Sequence, residues 1–592
     1  MKTIKHKIIQ IRNWLTENNL DAFIITHDDE YLSEYVPPEN ERLYWSTGFT
    51  GSAGYAVISH ENASIFVDGR YSVQVKDQVD CNYFEIMKIP KDSWINWLKN
   101  NHKTGAKVGF DPRMHRVSWK NHSDKQLGPE YSLVPVSNNP VDLFWKNRPL
   151  KNEAKALLLD EKYTGKSSST KRNELASIIV KNKCDAAYIT QLDSIAWLLN
   201  IRGNDVPCNP VLLCHGLLYS NGSFDLFIDK NKIPTGFHEH VGPNVNVMDS
   251  ADIKQQLEKL FGKKIQLDSI RSNVNSKNLV QDAGAIVVDK DDPCVLPKAC
   301  KNEVEIQGMQ NCHIRDASAV CNFLAWLDNQ IYAGNLLDEG TLADKIDSFR
   351  AQLDIYKGIS FGTISAAGKN AAMCHYNHKN QEIPGVLEMN SVYLVDSGGQ
   401  YLDGTTDITR TVAVGDPCEI IKKAFTLVLK GHIALSSAQF PEGIAGQHVD
   451  TFARQYLWYE GLDFNHGTGH GVGSYLNVHE GPHSIGKGAN QVPFKEGMIV
   501  SNEPGYYREN EFGIRSENLI IVKKIKEVEG KKLLGFENLT YVPFDTRLLD
   551  MSITTKTERD WINNYHQKVL KKVGPHLDDS VIEWLKRAVQ PI

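Results

Sequence analysis

An internal repeat limits the folds open to this 592-residue chain. The run LDAFIIT at 20–26 recurs as CDAAYIT at 184–190. Each run follows a segment with helical periodicity and precedes further short apolar runs that are bounded by turn residues. A chance match of a few identities is the alternative. The shared order of elements favours two copies of one α/β domain in the first half of the chain.

Two linkers divide the sequence further. A charged stretch that contains Pro149 separates the two copies, and a second stretch with Pro293 and Pro297 precedes a long amphipathic segment. We therefore predict three domains. Their boundaries are 1–150, 151–297 and 298–592, and the last domain ends in a helical tail around 557–588.

Composition narrows the functional classes. The net charge of -6 argues against a general nucleic-acid binder, which would carry a basic patch or stripe. The ten cysteines form no CxxC pair, so we expect free thiols in a reducing compartment. The N-terminus lacks the apolar core of a signal peptide, and no run approaches the ~20 apolar residues of a membrane span. We expect a cytoplasmic protein that binds neither nucleic acid nor membrane.

The segment 462–481, LDFNHGTGHGVGSYLNVHEG, places His466, His470 and His479 among glycines. Glycine is costly to order, but it allows backbone and imidazole to approach a small ligand closely. The alternative is a flexible loop whose histidines are incidental. Residues elsewhere in the sequence are needed to distinguish a ligand-binding segment from a flexible loop.

Four carboxylates lie at or within apolar strands. Asp396 ends one predicted strand, and Asp407 begins the next after two turn signals, so the two could meet. Two buried carboxylates repel unless a proton or a cation lies between them. Glu503 ends a third strand, and Glu517 lies in the middle of a fourth, where an unpaired charge is expensive. The alternatives are a strand-end cap for Asp396, a solvated turn for Asp407, and Arg515 as an ion-pair partner for Glu517.

These carboxylates and His470 form a set of five ligands with mostly oxygen donors. Such a set favours Mn²⁺, Mg²⁺ or Ca²⁺, while the imidazole shifts the preference toward Mn, Co, Fe or Zn. Two of the carboxylates could bridge a pair of ions about 3.5–4 Å apart, as in two-metal hydrolases, which produce hydroxide from a bound water at neutral pH.

The order Asp396, Asp407, His470, Glu503, Glu517 resembles the metal ligands of the pita-bread metallopeptidases. Methionine aminopeptidase, prolidase and aminopeptidase P belong to this family. The segments VDSGGQYLDGTTDITRT, HGTGHGVGSYLNVHEGP, EPGYY and GIRSEN look most like the long, three-domain aminopeptidases P. The resemblance covers the whole chain, and all five ligand positions match.

The resemblance implies an α/β (α+β) protein, with two creatinase-like domains before a C-terminal pita-bread domain. It implies two divalent ions, most often Mn²⁺ with Co²⁺ or Zn²⁺ as options, and a homodimer. It further implies release of the N-terminal residue from peptides with proline in second position. His375, His466 and His479 match additional active-site histidines, and Glu503 matches the acid/base. Arg515 is expected to orient a carboxylate near the substrate.

Our mechanistic hypothesis is attack on the Xaa-Pro carbonyl by a hydroxide that bridges both ions. His466 or His479 donates a hydrogen bond to the oxyanion, and Glu503 passes a proton to the proline nitrogen. His375 lines the pocket, while Tyr506 and Tyr507 either wall it or pack in the turn. The rival functions are a prolidase acting on Xaa-Pro dipeptides and a non-catalytic peptide-binding relative.

Overall fold

The computed structural model describes residues 3–592. They form two compact units, one built from residues up to 161 together with 166–295, and the other from 162–165 together with 296–592. The boundaries near 150 and 298 stay predictions. Within residues 3–592, the helices are all too short or too polar to cross a membrane.

The first unit contains two six-stranded sheets of the same topology. The first sheet has the order β4-β3-β2-β1-β5-β6, with β1 antiparallel to β2 and parallel to β5. Its strands are β1 Ala22–Thr26, β2 Tyr55–Ser59, β3 Ala63–Val67, β4 Glu85–Lys88, β5 Lys107–Phe110 and β6 Ser132–Pro135.

The second sheet repeats this arrangement as β10-β9-β8-β7-β11-β12, again with one antiparallel and one parallel neighbour of the central strand. Two copies of one α/β domain are therefore confirmed. Its strands are β7 Ala186–Ile189, β8 His215–Tyr219, β9 Phe224–Phe227, β10 Val245–Met248, β11 Lys264–Leu267 and β12 Ile286–Asp289.

The repeated aspartate has the same role in both sheets. Asp21 accepts a hydrogen bond from the backbone N–H of Lys107 at 2.7 Å, and Asp185 accepts one from Lys264 at 2.8 Å. In each sheet, the aspartate just before the central strand thus hydrogen-bonds to the first residue of the parallel neighbour. This shared contact explains why the two runs have the same residue at this position. The longer helices of the unit are Ile4–Glu17, Trp94–Asn101, Val117–Leu127, Ser168–Lys181, Leu192–Leu199 and Val274–Asp282.

The second unit begins with the predicted amphipathic segment, which forms the helix Glu303–Tyr332. Asn302 and Glu305 form a capping box at its N-terminus, which satisfies backbone N–H groups that the helix leaves unpaired. Its apolar face packs into an extensive hydrophobic core of this unit. The other long helices are Glu339–Arg350, Glu419–Ser436, Gly446–Trp458, Lys556–Val573 and Asp579–Ala588, the last two being the predicted tail.

Two sheets of this unit carry the carboxylates. In a three-stranded sheet, Ser391–Ser397 lies between Ile364–Ala367 and Ile408–Val414. A six-stranded sheet has the spatial order Gln439–Pro441, Lys531–Asn538, Asn518–Val528, Ile499–Asn502, Gly469–Gly471, Glu480–Ile485.

Smaller ladders complete the unit: Gly505–Arg508 pairs with Phe512–Arg515, and Gly399–Tyr401 pairs with Tyr356–Ile359 and Gly404–Thr405. The expected single strand through Glu517 is wrong. The chain leaves one ladder at Arg515 and enters another sheet at Asn518, so Glu517 lies at the break between them.

Candidate active site

Strand pairing brings the first two carboxylates to one place. In the antiparallel pair Ser391–Ser397 and Ile408–Val414, Asp396 lies opposite Thr409, and Asp407 directly precedes the second strand. Both aspartates are buried. The predicted return of the second strand beside the first is therefore present.

The carboxylates converge on His470. One ligand atom each from Asp407, His470 and Glu517 lies within 4.8 Å of the others. The Nε2 atom of His470 is 3.5 Å from Asp407 Oδ2 and 3.3 Å from Glu503 Oε1. Asp407, Glu503 and Glu517 lie next to strand ends, and His470 lies in the short strand Gly469–Gly471. These positions are far apart in sequence, and their polar groups come together at one place.

The orientation of His470 is set by its surroundings. The Nδ1 atom of His470 lies 3.0 Å from the carbonyl oxygen of Gly471. Since a carbonyl oxygen can only accept a hydrogen bond, Nδ1 is the donor. Its backbone N–H donates to Ser501 Oγ at 2.9 Å, and that hydroxyl donates in turn to Glu503 Oε1 at 3.1 Å. The Nε2 atom consequently faces the carboxylates, as in a histidine that binds a metal.

The electrostatics of the cluster are those of a cation site. Burial, together with the neighbouring carboxylates, raises the pKa of Asp396 to about 7 and also raises the pKa of Glu503 and of Glu517. Burial opposes a charged imidazole, but the hydrogen bond to Asp407 and the charge of Glu503 raise the pKa of His470 to about 9.

Two oxygens in this cluster have no hydrogen-bond partner within residues 3–592. They are Asp396 Oδ1 and Glu517 Oε1, both buried. Buried polar atoms normally find a partner, and an orphaned carboxylate oxygen among other carboxylates is explained by an ion. The donor set of carboxylates and one imidazole fits divalent cations.

Arg515 pairs with Asp396, not with Glu517. Its guanidinium donates to Asp396 Oδ2 at 2.5 Å and to Thr409 Oγ1 at 3.1 Å. The Thr409 hydroxyl donates to Glu517 Oε2 at 2.7 Å. Arg515 thereby reaches one carboxylate directly and the other only through a threonine.

Two of the predicted histidines lie beside the cluster. The ring of His479 meets that of His470 edge to face, with the centroids 4.3 Å apart. The Nε2 atom of His466 is 2.8 Å from the hydroxyl of Tyr507, which also accepts from Arg515 at 2.7 Å. His466 is thus connected to Asp396 through Tyr507 and Arg515.

The third histidine, His375, lies in a half-buried turn. The carbonyl of the preceding residue, Cys374, accepts a hydrogen bond from Arg515 at 3.3 Å. This contact puts the turn next to the Asp396 side of the cluster.

Sequence reasoning missed the connecting residues. The sequence predicts only a pocket wall or a turn residue at Tyr507, and it indicates no role for Thr409 or Ser501. A signal for Thr409 existed, since two-residue alternation places it on the same strand face as Asp407. Nothing in the sequence pairs Tyr507 with His466, 41 residues before it.

Family models account for nearly the whole chain. Residues 307–524 match metallopeptidase family M24, and 532–592 match the C-terminal region of that peptidase. Residues 7–144 and 147–305 each match a creatinase/prolidase N-terminal domain.

Known proteins resemble the chain over its full length. A probable Xaa-Pro aminopeptidase P of Laccaria bicolor is 38% identical, covering 99% of this chain and 93% of that protein. One from Coprinopsis cinerea is 38% identical over 99% and 98%. The X-prolyl aminopeptidase of Caenorhabditis elegans, described as a cytosolic enzyme with a di-nuclear active site, is 34% identical with a TM-score of 0.95 and covers 100% of both chains.

A prolidase from Thermococcus sibiricus shares only the fold, at 23% identity, a TM-score of 0.50, and coverage of 64% of this chain and 98% of that one. The full-length matches decide the assignment. This chain belongs to the Xaa-Pro aminopeptidase P family of the M24 metallopeptidases.

Proposed function

We propose that this enzyme is a metal-dependent aminopeptidase that releases the N-terminal residue from peptides with proline in second position. The observation that carries the proposal is the convergence of Asp407, His470 and Glu517 within 4.8 Å beside buried carboxylate oxygens that have no partner among residues 3–592. The full-length similarity to Xaa-Pro aminopeptidases P supports this activity over that of a prolidase.

Five residues would hold two divalent ions, and we propose Mn²⁺, with Co²⁺ or Zn²⁺ as alternatives. When bound, such ions polarise a substrate carbonyl and lower the pKa of water. The proposed ligands are Asp396, Asp407, His470, Glu503 and Glu517.

Glu503 is the proposed proton carrier. It receives one hydrogen bond from Ser501, and burial together with the charge of Asp407 raises its pKa, which favours the uptake of a proton by this carboxylate. It would take a proton from the attacking water and give it to the proline nitrogen. That nitrogen belongs to a tertiary amide and must be protonated before it can leave.

The hydrogen bonds of His466 separate the roles of the two histidines. The carbonyl of Gly467, 2.7 Å from Nδ1 of His466, requires that Nδ1 carry the proton. In the neutral ring, Nε2 then only accepts from Tyr507. We therefore assign the hydrogen bond to the developing oxyanion to His479 and propose that His466 holds Tyr507 and Arg515 in place. His375 would line the substrate pocket.

The proposal extends to the cellular location, the oligomeric state and the domain boundaries. We propose a cytoplasmic location because the C. elegans relative is described as cytosolic. The family resemblance is the basis for proposing a homodimer. The boundaries 1–150, 151–297 and 298–592 remain our proposal for the three domains.

Metal removal tests the function. Exhaustive chelation should abolish cleavage of Arg-Pro-Pro, and Mn²⁺ add-back should restore it. Asp407→Ala should lose both bound metal and activity, with kcat/KM at least about a hundredfold lower. Asp416→Ala, an exposed change nearby in the sequence, is the control. Full activity in an Asp407→Ala protein free of metal would refute the proposal, and preference for Arg-Pro over Arg-Pro-Pro would favour the prolidase.

A further inference from the structure

Glu339 is a buried carboxylate that the proposed mechanism does not use. It begins the helix Glu339–Arg350 and has 0% exposure. Its Oε1 accepts from the backbone N–H of Ala367 at 2.7 Å and from Asn370 Nδ2 at 2.9 Å. Its Oε2 accepts from the hydroxyl of Tyr376 at 2.6 Å and from the backbone N–H of Gly385 at 2.7 Å. Four neutral donors therefore surround one carboxylate.

All four donors belong to the segment 367–385, which carries His375. Tyr376, which donates to Glu339, directly follows that histidine, and Cys374, whose carbonyl accepts from Arg515, directly precedes it. The turn at His375 is therefore anchored on one side to Glu339 and on the other to Arg515.

A purely local role in the helix does not account for Glu339. Asp338 already caps the helix, since its side chain accepts from the backbone N–H of Thr341 at 3.0 Å. The segment is also closed tightly around the carboxylate. A Cβ at Gly385 would lie 2.6 Å from Asn370 Nδ2 and 2.9 Å from Glu339 Oε1, so any other residue would push these hydrogen-bonded side chains apart.

We propose that Glu339 is a positioning residue for substrate binding. Its carboxylate accepts four hydrogen bonds from the segment 367–385 and thereby holds His375 in the substrate pocket. The inference rests on the proposed function, because it takes the role of His375 from there. Within residues 3–592, the Glu339 carboxylate hydrogen-bonds to the segment and to none of the five proposed metal ligands, so it would act through the segment.

Glu339→Gln tests the proposal with almost no change in volume. The amide nitrogen of glutamine would face two donors, so two of the four hydrogen bonds would be lost. We expect KM for Arg-Pro-Pro to rise about tenfold with a smaller change in kcat, and amide hydrogen exchange within 368–385 to accelerate.

Glu558→Gln is the matched control, because Glu558 is also buried and accepts from Lys430 and the backbone of Thr555. It should change neither KM nor exchange in 368–385. If Glu339→Gln does not fold, Tyr376→Phe removes a single donor and should give the same pattern on a smaller scale.

A double-mutant cycle with His375→Ala separates positioning from general destabilisation. In the His375→Ala background, Glu339→Gln should add little to KM, because the residue that it positions is gone. Equal effects in both backgrounds, or unchanged exchange in 368–385, would overturn the inference. If the wild type fails to cleave Arg-Pro-Pro, both the proposed function and the substrate-binding role of Glu339 are refuted. Hydrogen exchange in 368–385 would still test whether Glu339 anchors the segment.

Discussion

At the scale of single residues, Glu480 shows how a buried charge is tolerated next to a functional histidine. It follows His479 directly, and its carboxylate lies between the ammonium groups of Lys298, at 2.8 Å, and Lys301. Burial alone would raise the pKa of Glu480, but the two lysine charges outweigh it and lower the pKa below its usual range. The pair of lysines thus fixes the chain beside His479.

This arrangement predicts a pH-dependent stability. Because the pKa of Glu480 is lower in the folded state, its contribution is present above about pH 4.5 and is lost as the pH falls through the folded-state pKa. Glu480→Gln should lower the free energy of unfolding by about 3–5 kcal/mol at pH 7, since two buried ammonium groups lose their partner.

Urea unfolding at several pH values checks this prediction. The difference between wild type and Glu480→Gln should narrow below pH 4. Glu496→Gln, which loses only a surface contact with Lys532, should behave like the wild type. A difference that stays constant with pH would contradict the assignment.

At the scale of secondary-structure elements, Arg410 joins one strand to two segments that lie outside strands. It is fully buried on the strand Ile408–Val414. Its guanidinium donates to the carbonyl of Glu517 at 2.5 Å, to that of Val542 at 2.7 Å and to that of Pro543 at 3.1 Å. Two carboxylate-bearing segments and the C-terminal region are thereby held by one side chain.

Arg410→Met should therefore cost far more than a surface arginine. The carbonyl groups of Glu517, Val542 and Pro543 would lose a charged donor, at about 1–3 kcal/mol each, so we expect a loss of about 3–9 kcal/mol in unfolding free energy. Weaker Mn²⁺ binding should accompany it, because Glu517 is no longer fixed. Isothermal titration and urea unfolding measure both effects. Arg547→Met, which replaces an exposed arginine that pairs with Asp545, is the control, and equal losses in the two variants would contradict the role.

At the scale of the whole molecule, the five proposed metal ligands all lie in the unit built from 162–165 and 296–592. A ligand that binds only the folded form of one unit stabilises that unit by mass action. The two compact units should therefore respond differently to metal.

Calorimetry tests this expectation. With Mn²⁺ at about 100 times its Kd, one transition should rise by about 5–10 °C relative to the chelated enzyme, while the other stays in place. The shifted transition should be insensitive to metal in His470→Ala. A common shift of the whole unfolding profile would mean that the two units unfold together.

The sequence by itself predicted what depends on local pattern. Helical periodicity located the long amphipathic helix and the helical tail, and the recurrence at 20–26 and 184–190 predicted two α/β domains of the same fold. Charge in apolar strands is expensive, so Asp396 and Glu517 stood out as residues that need a partner. The family resemblance then supplied their proposed role.

Only the tertiary structure decided which atoms meet. Two-residue alternation predicts that Arg515 shares a strand face with Glu517. In the structure, Arg515 instead donates a hydrogen bond to Asp396, which is 119 residues away in sequence. Glu339 holds a segment that begins 28 residues later, and Tyr507 joins His466 to Arg515. Such partners follow from strand pairing and from where the chain passes between sheets. Neither is encoded in a window of neighbouring residues, because a hydrogen bond depends on distance and direction in space rather than on separation along the chain.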